Sequence, residues 1–454
     1  MRLPHFLSTV ALTTVATTIV ATSFAGQPPA ATDAVSAAAA TARRAADVEG
    51  ALRSLEQDGG ARREGEGVAT ALIEAARAFR PIELPASPDS WAEAGLDPSK
   101  AQREGDRLVQ TLADGTRVFL TLDPDTQAYL ERMLDEYNVP HSGVVLIEPS
   151  TGRVRALVSH TEADTPIEGL ARKSTAPSAS VFKVVTAAAL LEGENFDPDQ
   201  RVCYHGGRSS LTKTNIKGSA RLDNRCNTLD GALAWSINSI MAKLAYEHLD
   251  QDEMHEWAER FGYNQPIPFE LPVEVSTAEF VDDPFERARS AAGFWHTYLS
   301  PLHGAMIGAA LANDGVMMQP SIIDRVEDAD GNVLQTFEAK VFREVMKPET
   351  AKTLARFMER TAKQGTARRY FNRRGFPDDI TVSGKTGTLS NKDPYLGFTW
   401  FVGFGVSEET GTEVSVAGLV CNTPTWRIKG GYAASEAVRE FFQNERKSNE
   451  VAAK

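Results

Sequence analysis

Apolar and polar positions along this chain fall into segments with distinct periods. Val118 to Leu122 alternate as a strand does, and Asp123-Pro124-Asp125-Thr126-Gln127 then opens a helix reaching about Tyr137. Gly143–Ile147 and Arg153–Val158 are apolar runs joined by Glu148-Pro149-Ser150-Thr151-Gly152, which predicts a β-hairpin. After Lys183 comes Val184-Val185-Thr186-Ala187-Ala188-Ala189-Leu190-Leu191, a run that reads as a helix buried through the middle of a domain. Pro177 stands just before its first turn, where a missing N–H costs nothing. Residues 192–232 are polar and glycine-rich, and a helix is expected from Leu233 to His248.

Further along, a helix through Ala310 ends at Asn313-Asp314-Gly315 and leads into a strand. A second hairpin turns at Asp330-Gly331, and Trp400–Phe404 and Glu413–Val420 read as sheet strands. A last helix, Ala434 to Gln443, comes after Gly430-Gly431 and should pack on the sheet, leaving 445–454 as a charged tail expected to fray.

The N-terminal part differs in composition. Arg2 precedes an uncharged, Thr- and Ala-rich run from about Phe6 to Ala25, ending in the small-x-small pattern Ser23-Phe24-Ala25. It reads as a cleaved signal peptide or a marginal membrane anchor, and export is expected either way. With no cysteine near residue 25, a lipoprotein is not expected. Residues 26–115 read as a helical, partly flexible linker, with helices at Ala34–Leu55 and Val68–Phe79.

The chain has 454 residues, enough for one large domain plus a smaller segment. A net charge of −13 argues against nucleic acid or an anionic membrane surface as the main partner. No metal or cofactor motif emerges: His255-Glu256 starts a zincin-like pattern, but Glu259 stands where the second histidine is needed. Of three cysteines, Cys203 and Cys226 would close a loop in an oxidising compartment or remain two unpaired thiols; Cys421 sits in a buried-strand pattern.

The candidate chemistry starts at Ser180-Val181-Phe182-Lys183. Residues three apart share a helix face, and a lysine in a dry site near another cation can be the base that a serine nucleophile needs. Ser210-Leu211-Thr212-Lys213 fits the same pattern, but its polar, glycine-rich surroundings make it a loop. Two motifs further along the chain set the first pair apart. They are the chain's only Ser-x-Asn, Ser236-Ile237-Asn238, and its only Lys-Thr-Gly, Lys385-Thr386-Gly387, which runs on into Thr388.

These three motifs, in this order, resemble the penicillin-binding transpeptidase family of the serine D,D-peptidase and β-lactamase-like superfamily. The resemblance covers roughly residues 116–445, beginning at Thr121-x-Asp123-x-x-x-Gln127 and including the stretch from Tyr298 to Pro320. It implies an α+β fold, an α/β sandwich with a central antiparallel sheet, helices on both faces and an all-helical subregion carrying the nucleophile helix.

The resemblance also implies roles. Ser180 would attack the carbonyl between two D-alanines of a peptidoglycan stem, or a β-lactam carbonyl, and Lys183 would take its proton. Ser236 would relay a proton to the departing amine, and Asn238 would hold Lys183 and the substrate's backbone. Lys385 would place a second charge near Lys183 and, with Thr386 and Thr388, draw the substrate carboxylate. Gly387 would let the substrate lie against the strand, and the N–H groups of Ser180 and Thr388 would form the oxyanion hole. The implied partners are peptidoglycan stem peptides, β-lactams as covalent inhibitors, and a separate glycosyltransferase or cell-wall synthesis complex, since 26–115 is too short for a glycosyltransferase domain. No cofactor is implied.

Two other functions compete with transpeptidation. A D,D-carboxypeptidase or endopeptidase would use the same motifs. A non-catalytic β-lactam sensor or cell-wall scaffold is opposed by the intact motif set. A β-lactamase is disfavoured, because no Glu-x-x-x-Asn lies between Asn238 and Lys385 and Ile237 occupies the middle of the second motif.

Overall fold

The computed structural model describes residues 88–162, 168–393 and 395–452. The N-terminal hydrophobic run and the helices expected between residues 34 and 79 lie outside the described residues. Among those described, no helix is long and apolar enough to cross a membrane.

Strands are numbered along the chain. β1 (Gln102–Glu104), β2 (Arg107–Thr111) and β3 (Arg117–Leu120) precede the helix Pro124–Glu136, and β4 (His141–Ile147) and β5 (Val154–Thr161) form the first expected hairpin. β6 (Ala176–Pro177), β7 (Val202–Tyr204), β8 (Arg225–Asn227) and β9 (Tyr298–Leu299) are short, as is β10 (Val316–Met318). β11 (Ile323–Glu327) and β12 (Val333–Thr336) flank the Asp330-Gly331 turn, and β13 (Val341–Glu344) comes next. β14 (Ile380–Lys392), β15 (Tyr395–Ser407) and β16 (Glu413–Asn422) complete the set.

The central sheet has the order β14-β15-β16-β4-β5 and is antiparallel throughout. Its strands are apolar in both registers because both faces are covered. Val145, Trp400, Val402, Ala417 and Leu419 enter the core shared with the nucleophile helix and the helix Pro301–Ala312. Their strand neighbours Val144, Leu146, Phe401, Val416 and Val420 face a second core, filled by the helices Gly430–Ala452 and Pro124–Glu136. The helix Pro301–Ala312 is buried at every residue from Pro301 to Leu311, as an apolar helix held between layers must be. The architecture is the expected α+β sandwich.

Four expectations are corrected. Residues 102–111, read as part of a helical linker, form β1 and β2 and join β3, β11 and β12 in a second five-stranded sheet. Alternation too short for a periodicity argument hid them. The charged C-terminal stretch is not set apart from the last helix, which continues through it to Ala452, with Lys447 donating to the Asn444 side chain one turn back. Pro177 does precede the turn that Ser178 caps, but as a strand residue rather than a free N-terminal one: it pairs with Tyr298 in the two-residue ladder of β6 and β9.

The fourth concerns the helix expected from Leu233 to His248. It is two helices, Leu229–Ala234 and Asn238–His248, broken at Ser236, whose φ is +53°. On one continuous helix Ser236 and Asn238, two positions apart, would point to nearly opposite sides. The break lets each side chain meet one of the two buried lysines, Ser236 accepting from Lys385 and Asn238 from Lys183.

Candidate active site

The chain leaves β6 through Ser178 and Ala179, and Ala179 has the left-handed φ of +48°, uncommon for a residue with a side chain. A 3₁₀ turn, Ala179–Phe182, then carries Ser180, and the α-helix begins at Lys183. The turn is pinned from two sides. Ser178 N–H donates to Thr297 O at 2.9 Å, and the Trp400 indole N–H donates to Pro177 O at 2.9 Å. Ser178 Oγ also meets the buried Tyr263 hydroxyl at 3.2 Å.

Lys183 is fully buried, with Nζ 2.6 Å from Ser180 Oγ, 2.8 Å from Asn238 Oδ1 and 2.5 Å from Ala292 O. The last two are oxygens that can only accept. A neutral amine has two N–H bonds and one lone pair, so these two acceptors use both N–H bonds and leave the lone pair for the Ser180 hydroxyl proton. Burial, and secondarily the charge of Lys385, holds the Lys183 amine well below the usual lysine range. The contact puts the lysine amine within reach of the serine's hydroxyl proton.

Asn238 is oriented by the polar loop before it. Its N–H donates to Arg208 O at 2.9 Å and its Nδ2 to Ser209 O at 2.9 Å, which turns Oδ1 to Lys183. Ser239 Oγ donates to Gly207 O at 3.0 Å. The loop is closed at its base by a Cys203–Cys226 disulfide between the facing strands β7 and β8. The second Ser-x-x-Lys match, Ser210 to Lys213, lies in the same loop, but Thr212 caps a short helix, Lys213–Lys217, whose Asn215 and Ile216 are buried, and the exposed Lys213 makes no hydrogen bond to Ser210 of the kind Lys183 makes with Ser180. Cys421 is a buried free thiol.

Lys385 comes from β14, at the edge of the central sheet, and is fully buried. Its Nζ donates to Ser236 Oγ at 3.0 Å and to Thr386 O at 2.9 Å, and burial pushes its pKa down to about 7. A methyl at Gly387 would sit 3.3 Å from both Ala179 Cβ and Ser178 O, so β14 runs directly against the turn that carries Ser180. Thr386 is half-buried and Thr388 exposed, pairing with Thr399 of β15. The three motifs thus meet: Lys183 touches Ser180 and Asn238, Lys385 touches Ser236, and Gly387 runs against the turn that carries Ser180.

Sequence reasoning did not single out the segment 292–297. Ala292 lends only its carbonyl oxygen, which no side-chain pattern signals. Gly293, at φ +89°, passes so close to the nucleophile that a methyl there would be 2.2 Å from Ala179 O and 2.8 Å from Ser180 N. Trp295 and His296 come next, with left-handed φ values of +36° and +64°. Strained residues clustered around Ser180 and at Ser236 are what a site held in shape by its surroundings contains.

The penicillin binding protein transpeptidase domain family matches residues 142–443. Peptidoglycan D,D-transpeptidase PbpA of Mycolicibacterium smegmatis is 27% identical over 342 residues, covering 67% of each chain. The protein of that name from Mycobacterium tuberculosis H37Rv is 27% identical over 346 residues, 68% of each. Among solved structures, the D,D-transpeptidase domain of a peptidoglycan glycosyltransferase from Eggerthella lenta has a TM-score of 0.61 at 25% identity, over 74% of this chain and 85% of that one. Penicillin-binding protein A of M. tuberculosis, solved as a penicillin G acyl-enzyme, shares the fold with a TM-score of 0.59 at 23% identity, over 72% and 80%.

Proposed function

The chain belongs to the penicillin-binding protein transpeptidase domain family, and we propose that it is an exported serine D,D-transpeptidase that cross-links peptidoglycan stems through an acyl-enzyme on Ser180. The observation that carries this reading is the Lys183 amine, whose two acceptor-only partners leave its lone pair 2.6 Å from Ser180 Oγ.

In this reading Ser180 Oγ attacks the carbonyl of the penultimate D-alanine while its proton passes to Lys183 Nζ. Negative charge moves to the carbonyl oxygen, received by the N–H groups of Ser180 and Thr388; one such donor is worth roughly 3–4 kcal/mol in other acyl-transfer enzymes. As the tetrahedral centre collapses, the C–N bond breaks and the leaving amine takes a proton through Ser236, whose hydroxyl accepts from Lys385. Terminal D-alanine departs and the acyl group stays as an ester on Ser180. An amine of a second stem then attacks the ester, gives a proton back along the same path, and releases Ser180 with a new amide formed. A β-lactam enters by the same first step, but its leaving nitrogen stays tethered to the acyl group. Asn238 orients Lys183, and Lys385 with Thr386 and Thr388 meets the substrate's terminal carboxylate.

Incubating the full chain with a fluorescent penicillin tests this. The wild type and Ser210→Ala are expected to label covalently, and Ser180→Ala is not. A folded wild type that does not label would overturn the acyl-enzyme and favour a scaffold. With D-Ala-D-Ala stem peptides and an amine acceptor, amide-linked product supports transpeptidation, whereas hydrolysed stem alone points to the carboxypeptidase.

A further inference from the structure

We propose that Thr366 is a positioning residue of this site, setting the Thr386 hydroxyl to receive the terminal carboxylate of the substrate. The proposal rests on the reading of Ser180 to Thr388 as a transpeptidase centre and adds a residue outside the three motifs.

Thr366 Oγ1 lies 2.6 Å from Thr386 Oγ1 in a pair open to solvent, Thr366 exposed and Thr386 half-buried. Thr366 reaches that position because of where its backbone is held. The helix Pro348–Lys363 ends at Gln364, and Gly365 packs so tightly on the second motif that a methyl there would be 2.1 Å from Ala234 O. The next N–H, that of Thr366, donates to the same Ala234 carbonyl at 3.1 Å. Ala234 is two residues before Ser236. The second and third motifs are therefore tied twice: by Ser236 to Lys385, and by Ala234 through Thr366 to Thr386.

An exposed hydroxyl pair adds little to stability, because water competes for both groups. Its effect is on orientation. A threonine hydroxyl rotates freely, and two hydroxyls in contact share one proton between their oxygens and keep one to give away. When Thr366 donates to Thr386, the Thr386 proton is left to point at an anion, and the first bond polarises the second. Beside Lys385, a pre-set donor favours a carboxylate, since hydrogen bonds to charged acceptors are about twice as strong as neutral ones.

The test compares second-order acylation by a fluorescent penicillin with acylation by its methyl ester, which lacks the carboxylate charge. Thr366→Val is expected to slow the free acid on the order of tenfold and leave the ester within about twofold, so that discrimination between them collapses. Thr366→Ser should restore it. In a cycle with Thr386→Val, the double variant should be no slower with the acid than Thr386→Val alone. Melting temperatures identify a variant that has not folded, in which case the Thr366→Ser and Thr386→Val arms decide. An unchanged rate with the acid, an equal fall for both probes, or additive losses in the cycle would overturn the role of Thr366 alone. A wild type that acylates with neither probe removes the transpeptidase reading as well.

Discussion

Lys183 Nζ lies 2.5 Å from the carbonyl oxygen of Ala292, a residue 109 positions further along the chain. With Asn238 Oδ1 as its other acceptor-only partner, the buried lysine has an uncharged oxygen on each side, and burial holds its pKa well below the usual lysine range.

Asn238→Asp tests the need for an uncharged partner. A carboxylate in place of the amide would sit in contact with the amine and hold it protonated. Labelling by penicillin at neutral pH should fall by roughly 100-fold or more, the usual contribution of a general base, and recover in part as pH is raised. Labelling at the wild-type rate across the pH range would mean that Lys183 need not be neutral.

Gly293→Ala should damage the site from behind. The new methyl would overlap Ala179 O and Ser180 N, and the backbone φ of +89° disfavours any side chain. We expect a loss of about 2–4 kcal/mol in urea denaturation together with a fall in acylation. Wild-type values of both would show that the segment can move away freely.

The buried Lys385 should make stability depend on pH with a definite sign. Its folded pKa of about 7 lies below its ordinary 10.5, so between these values the unfolded chain holds a proton that the folded chain lacks. Stability therefore rises with pH above about 7, at up to about 1.4 kcal/mol per unit from this group, and its cost is present in full below 7. The Cys421 thiol, pushed up to about 12 by burial from an ordinary 9.0, opposes this trend once pH passes 9. Lys385→Met removes this contribution and also relieves the charge that depresses Lys183, an effect of the same sign, so the variant should exceed the wild type in stability by more at pH 6 than at pH 9. A constant difference in denaturation midpoint would contradict this.

Opening the Cys203–Cys226 bridge should cost more than chain entropy. For a separation of 23 residues the expected loss of stability is about 3 kcal/mol. Because the bridged loop supplies the carbonyls of Arg208 and Ser209 to Asn238, the Cys203→Ser, Cys226→Ser variant should also acylate more slowly at temperatures where it is fully folded. Unchanged acylation in the folded variant would assign the bridge to stability alone.

The elements that the chain pattern revealed are those with long apolar runs. β4, β5, β15, β16 and the helix after Lys183 must bury every other side chain or all of them, and the pattern records it. The three motifs were equally legible, since each carries its chemistry in side chains. The hidden features work through the main chain or across it. Ala292 contributes an oxygen that every residue has, Ser209 likewise, and the Ser236 break depends on a φ that serine does not advertise. Thr366 acts through a contact with Thr386, 20 positions away, which no local pattern announces. Strands β1 and β2 escaped because only their pairing with β3 makes them strands.

The route of the chain through the site has one more consequence. The nucleophile turn is fastened by Thr297 and Trp400, its base by Asn238 and Ala292, and its far wall by β14 at an outer edge of the central sheet. Ser180 is translated long before its last fastener, and a nascent or clipped chain would hold the serine without the means to ionise it. If Ser180 is acylated as proposed, covalent capture of a β-lactam would double as a certificate of complete folding: a labelled molecule would be one whose segments from Pro177 to Trp400 have found one another.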